Sequence, residues 1–138
     1  MTLSPQDRLD LGDVVNLYAF AVDDIGNVDG VVALFTPDAV YDLSVLGMGE
    51  ILGHAGIGGF FENAFAGMAQ NAHFMSNIVV LSDDGAARAR VQAYGHAFSL
   101  GKDGAMMEVK ARYTFDMARG GDGWRIARLG IAMLLPVA

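Results

Sequence analysis

The chain has 138 residues, 53% of them hydrophobic, and a net charge of −7. That length suits one domain, expected to span residues 1–138, and the nine Lys and Arg side chains are scattered, which excludes the basic patch that a nucleic-acid partner requires. No apolar run approaches the roughly 20 residues of a membrane span, and Met1-Thr2-Leu3-Ser4-Pro5-Gln6-Asp7 lacks a basic segment leading into an apolar one, so a cytoplasmic location without a membrane partner is expected.

Cysteine is absent, so no disulfide, thiolate metal site or cysteine nucleophile is possible. Any chemistry falls to His, Asp, Glu and Tyr. A mean hydropathy of +0.34 implies apolar surface hidden in an internal cavity or between subunits, and an oligomer is expected.

Ser4-Pro5-Gln6-Asp7 starts a helix, with Ser4 as N-cap, Pro5 in the first helical position and an acidic residue in the first turn. Leu11, Val14, Val15, Tyr18, Val22 and Ile25 then recur at three- and four-residue spacing, which predicts an amphipathic helix to about residue 24. Asn27 caps a second, short helix ending near Phe35. Pro37 stops that helix, and Ala39-Val40-Tyr41-Asp42-Leu43 has the composition of a strand. After a glycine-rich passage, Ile57, Phe60, Phe61, Ala64 and Phe65 repeat at helical spacing and place a third helix over 54–66.

From His73 onward, apolar strands alternate with the turn sequences Ser82-Asp83-Asp84-Gly85, Gly101-Lys102-Asp103-Gly104 and Gly120-Gly121-Asp122-Gly123. A four-stranded antiparallel meander follows. Three N-terminal helices ahead of such a meander predict an α+β fold, with the helices packed on the concave face of a curved sheet.

Strand alternation sorts the side chains by face. Met107, Val109, Ala111, Tyr113, Phe115 and Met117 share one face, so Tyr113 is expected to point inward. By the same rule Tyr41 follows Ala39 and Leu43, Arg128 follows Trp124 and Ile126, and His73 is in phase with Met75, Asn77 and Val79. An imidazole facing an apolar interior needs partners for its nitrogens, and a carboxylate that takes one N–H leaves the other nitrogen as a base. His96 falls in phase with Arg88, Arg90 and Gln92, on the solvent face unless Gly95 introduces a bulge. His54, beside Gly53, is expected to be structural or exposed. The three histidines are too widely spaced for a metal motif, and Gly47-Met48-Gly49 and Gly56-Ile57-Gly58-Gly59 lack the context of phosphate loops, so neither metal nor cofactor is expected.

The run from Asn27 to Asp42, in which a short apolar helix passes through Thr36-Pro37-Asp38 into a strand, together with Asp122-Gly123-Trp124-Arg125-Ile126, resembles the SnoaL-like branch of the nuclear transport factor 2-like superfamily. The resemblance covers roughly residues 5–135 and implies a cone-shaped fold around one pocket. Its dehydratase branch, with scytalone dehydratase and hexachlorocyclohexane dehydrochlorinase, pairs a helix-1 aspartate with a histidine opening the first long strand, and Ala72-His73-Phe74-Met75 looks like that opening.

Counting from the aromatic residue of Tyr18-Ala19-Phe20-Ala21-Val22-Asp23 places the aspartate at Asp23, whereas counting back from Asn27-Val28-Asp29 gives Asp24. Asp23 is favoured, because helix register survives a loop insertion. The resemblance further places His96 where scytalone dehydratase has its second catalytic histidine; His96, Tyr113 or Tyr41 is expected to donate to the departing oxygen, and Tyr18, Asp24, Phe60, Met75, Phe115 and Arg128 are expected around the substrate. The ketosteroid isomerase pattern matches through Asp29-Gly30-Val31-Val32-Ala33-Leu34-Phe35, but Leu43 stands where that enzyme has its catalytic aspartate.

The expected function is therefore a cofactor-independent acid/base lyase of dehydratase type. Its substrate is expected to be a small apolar molecule, cyclic or polyketide-like. A non-catalytic ligand-binding or dimerisation module is the alternative. A homodimer through the outer sheet surface is expected, with trimers known in the dehydratase branch.

Overall fold

The computed structural model describes residues 2–138. Helix α1 spans Pro5–Asp23 and opens with a reciprocal cap: Asp7 N–H donates to Ser4 Oγ at 3.0 Å and Ser4 N–H to Asp7 Oδ2 at 3.0 Å. Arg119, from a neighbouring strand, also pairs with Asp7. Leu11, Val14, Val15, Tyr18, Ala19 and Val22 form the buried stripe of α1. Helix α2, Val28–Val32, is capped by Asn27, whose side-chain oxygen accepts from Gly30 N–H at 3.0 Å.

Strand β1 spans Phe35–Asp42, earlier than the sequence predicts. Pro37 does not precede this strand but lies inside it. Its missing N–H costs nothing there, because the pairing of β1 with the last strand breaks between Phe35 and Val40. A three-residue strand β2, Glu50–Leu52, was not predicted. Helix α3 spans Gly53–Ala66 and buries Ile57, Phe61 and Phe65.

The meander follows as β3 (Met68–Asp83), β4 (Arg88–Gly101), β5 (Met106–Gly120) and β6 (Gly123–Met133). The six strands form one sheet in the order β2-β1-β6-β5-β4-β3, antiparallel throughout except where β1 pairs parallel with β6. α1 packs chiefly against β3 and α3 against β1, so these two helices cover the concave face, and α2 packs on α3 and α1. No helix among the described residues is long and apolar enough to cross a membrane.

Two bulges decide which side chains face inward. In β3 the pairing shifts between Ser76 and Val79, and Asn77 takes a left-handed φ of 56°. His73 and Met75 keep the expected phase, but beyond the bulge Ile78 and Val80 turn toward the core while Asn77 and Val79 are exposed, contrary to the simple alternation. In β6 the pairing shifts by one residue at Ala127, so Ile126 and Leu129 are both fully buried. Arg128 is thereby turned out.

Gly95 meets a different constraint. A Cβ there would stand 2.3 Å from Cε1 of Tyr113, so the tyrosine ring lies directly against the β4 backbone. Gly95→Ala is expected to displace that ring and lower stability by about 1–3 kcal/mol, measured by chemical denaturation.

Candidate active site

The end of α1 and the start of β3 meet through Asp23 and His73. Asp23 Oδ2 accepts from the His73 backbone N–H at 2.8 Å, and Asp23 Oδ1 lies 2.7 Å from His73 Nδ1. A carboxylate only accepts, so Nδ1 carries the hydrogen and Nε2 is left with its lone pair. Asp23 occupies the last turn of α1, which contains no basic residue. An anion there costs about 0.3–1 kcal/mol against the helix dipole, less than the roughly 1.5–3 kcal/mol of each hydrogen bond to a charged group, so the two bonds hold it in place.

His73 lines a cavity of about 560 Å³ between the helices and the concave sheet, a size suited to a small organic ligand. Phe60, Phe61 and Phe65 of α3 line the cavity, and so do Leu43, Val109, Ile131 and Met133. The hydroxyls of Tyr18, Tyr41 and Tyr113 are set into this apolar lining. Tyr18 Oη and Tyr41 Oη lie 2.7 Å apart, and whichever donates, the other keeps a hydrogen for a ligand oxygen.

Burial pushes the Tyr18 and Tyr41 hydroxyls well above the ordinary tyrosine range. Burial, and then the nearby Asp23 carboxylate, push Tyr113 up to about 12. All three are hydrogen donors at neutral pH. The site therefore combines one imidazole lone pair with several hydroxyl donors in a largely apolar hollow.

Asp23 and His73 also border a second groove, on the outside of the molecule between α1 and β3, which includes Asp13, Phe20 and Met75. His73 thus separates interior from exterior, with Asp23 on its outer side.

Of the residues singled out from the sequence, the structure brings His73, Tyr18, Tyr41, Tyr113 and Phe60 together around the cavity, with Asp23 bonded to His73 from behind. Asp24 is separate: it is exposed and accepts from Asn27 Nδ2 at 3.0 Å. Met75 lines the outer groove and not the cavity. Phe115 is fully buried behind the site, in edge contact with Tyr18 at 5.9 Å and stacked on Tyr113 at 6.1 Å.

Arg128, turned out by the β6 bulge, pairs with Asp42 at 3.0 Å and Glu50 at 2.7 Å. His96 also faces away, since β4 pairs with β5 without interruption through Gly95 and no bulge rotates it. Its Nε2 lies 2.6 Å from Glu108 Oε2, and its ring packs on Phe98. His54 is structural, with Nε2 at 2.8 Å from the Phe35 carbonyl. Sequence reasoning missed Asn71 and Ser99, which also line the cavity. The available signal was that Asn71 lies two residues before His73 on the same strand, and so on the same face. Among the described residues no three His, Cys, Asp or Glu side chains converge as a metal site.

A family model described as a SnoaL-like domain matches residues 4–130. Among solved structures, a Novosphingobium aromaticivorans protein named as a proposed aromatic ring hydroxylase is 39% identical, with 99% of this chain and 95% of that one covered and a TM-score of 0.96. A proposed scytalone dehydratase from the same organism is 14% identical over 98% of this chain and 91% of its own, with a TM-score of 0.85. An NTF2-like protein with a cystatin-like fold, also from that organism, is 21% identical over 94% of this chain and 82% of its own, with a TM-score of 0.76. The latter two likenesses show the fold alone. No curated protein matches the sequence.

The raised tyrosines have a measurable consequence. A hydroxyl whose folded pKa exceeds its unfolded value stabilises the fold fully below the unfolded value of about 10, and that contribution is lost as pH rises through the folded value. In a Tyr94→Phe background, which leaves only the three cavity tyrosines, tyrosinate absorbance is expected to stay flat through about pH 10, and unfolding free energy to fall above it.

Proposed function

We propose, for a chain that belongs to the SnoaL-like domain family, that the cavity houses a cofactor-independent acid/base lyase of dehydratase type. Its substrate is a small, largely apolar molecule, cyclic or polyketide-like. The observation that carries this reading is the 2.7 Å pair of Asp23 with His73, whose ring lines the hollow. Held by Asp23 through Nδ1, the imidazole offers Nε2 as a general base to a C–H next to a carbonyl. Asp23 then stabilises the imidazolium that forms.

Electrons from the broken C–H bond form the new double bond as the neighbouring C–O bond breaks, and the departing hydroxyl takes the proton back from the His73 imidazolium to leave as water. Tyr113 or the Tyr18–Tyr41 pair supplies hydrogen bonds to the developing charge. These donors act in an apolar surrounding, where such bonds are stronger than in water. The 39%-identical relative is named for an aromatic ring, which agrees with the phenyl-rich wall built by Phe60, Phe61 and Phe65. His96 has no part in this scheme, because it lies on the opposite face of the sheet. Isomerisation of the ketosteroid type is disfavoured, because buried Leu43 cannot shuttle a proton.

A homodimer through the outer sheet surface belongs to the same proposal. Phe74, Leu81 and Tyr94 are exposed on that side of β3 and β4 and support it.

The test is a panel of hydroxylated cyclic ketones, following water loss by the appearance of the conjugated product. For any substrate turned over, His73→Ala is expected to lower kcat by about 10²- to 10⁴-fold, and Asp23→Asn to lower it with little change in KM. Equal rates for wild type and His73→Ala would remove the imidazole from the mechanism. Tight ligand binding with no turnover across the panel would favour the binding-module alternative.

A further inference from the structure

Asn71 stands in β3 two residues before His73 and pairs directly with Ser99 of β4. Its Nδ2 donates to the Val22 carbonyl at 3.1 Å and lies 3.0 Å from Met68 Sδ. Its Oδ1 accepts from Ser99 Oγ at 2.6 Å. Both amide hydrogens are thus engaged, as is the carbonyl oxygen, so Asn71 has no hydrogen to offer a ligand although it borders the cavity.

Its contact with Val22 is informative. The last four carbonyls of a helix have no partner within the helix, and Val22 supplies one of them, immediately before Asp23. One face of β3 therefore grips the end of α1 at two successive points: Asn71 at the Val22 carbonyl, and His73 at the Asp23 carboxylate. Ser99 fixes which way the Asn71 amide is turned, because its hydroxyl donates to Oδ1 and leaves Nδ2 facing the helix.

We infer that Asn71, oriented by Ser99, is a positioning residue that sets the distance and angle between Asp23 and the His73 ring. This rests on the acid/base reading of the pair for its functional meaning, though not for its geometry. Without the Val22 clamp the last turn of α1 is free to fray, and Asp23 swings with it. The carboxylate then no longer holds Nδ1, the imidazole samples both tautomers, and Nε2 is presented as a base for only part of the time.

The test is proton and nitrogen NMR of full-length protein labelled with ¹⁵N-histidine. In wild type, His73 is expected to show a downfield Nδ1–H resonance protected from exchange and the nitrogen shifts of the Nδ1–H tautomer. In Asn71→Ala that proton is expected to move upfield and exchange about tenfold faster, as one lost hydrogen bond of about 1.4 kcal/mol requires. The His54 imidazole, bonded to the Phe35 carbonyl far along the fold, should not change.

Ser99→Ala removes only the orienting hydroxyl. It is expected to shift the His73 signal in the same direction by less, and it decides the matter if Asn71→Ala does not fold. An unchanged His73 resonance in the folded variants, or equal changes at His73 and His54, overturns the inference. The reading of function fails separately: a His73 signal that responds to Asn71→Ala, beside turnover that ignores His73→Ala, leaves the clamp standing and removes the chemistry.

Discussion

The structure depends on a single side chain that accepts two hydrogen bonds from one residue. Asp23 takes the backbone N–H and the ring N–H of His73, so it fixes both how β3 lies against the end of α1 and which way the imidazole is turned. A helix end is thereby joined to an edge strand of the sheet, whose backbone N–H at His73 finds its acceptor in the helix. The remaining features of the site follow from that junction. The hollow exists because α1 is held across the sheet at this point while α3 leans on β1 at the other side. Aromatic rings fill the space between them only in part.

The hydroxyls in that space are placed by backbone geometry as much as by side-chain choice. Tyr113 sits where it does because Gly95 offers bare backbone for its ring to lie on. Tyr18 and Tyr41 stand 23 residues apart in the chain and find each other because the parallel pairing of β1 with β6 carries Tyr41 under α1. Burial keeps each of them protonated, which divides the labour of the site cleanly: oxygens that give hydrogen bonds, and one nitrogen that can take a proton.

Much of this was legible in the sequence. Periodic apolar residues and the Ser4 cap marked α1, and turn sequences at regular intervals marked the meander. Strict alternation turned Tyr113 and Tyr41 inward, where both are buried, and helix register pointed to Asp23, which is the acid that lies against His73. The failures share a cause. One extra residue in a strand moves every later side chain to the other face, and neither Ala127 nor Asn77 announces itself locally as a bulge, so Arg128 and Val79 were assigned to the wrong side. The parallel β1–β6 pair joins segments nearly 90 residues apart, and β2 is too short to show a period. Asn71 was passed over because a lone asparagine in a strand carries no pattern, and its value appears only when its bonding capacity is counted in three dimensions.

Of the two bonded partners, His73 alone borders both the hollow and the outer groove, while Asp23 stays on the groove side. Whatever occupies the interior can therefore touch the imidazole without displacing the carboxylate that holds it.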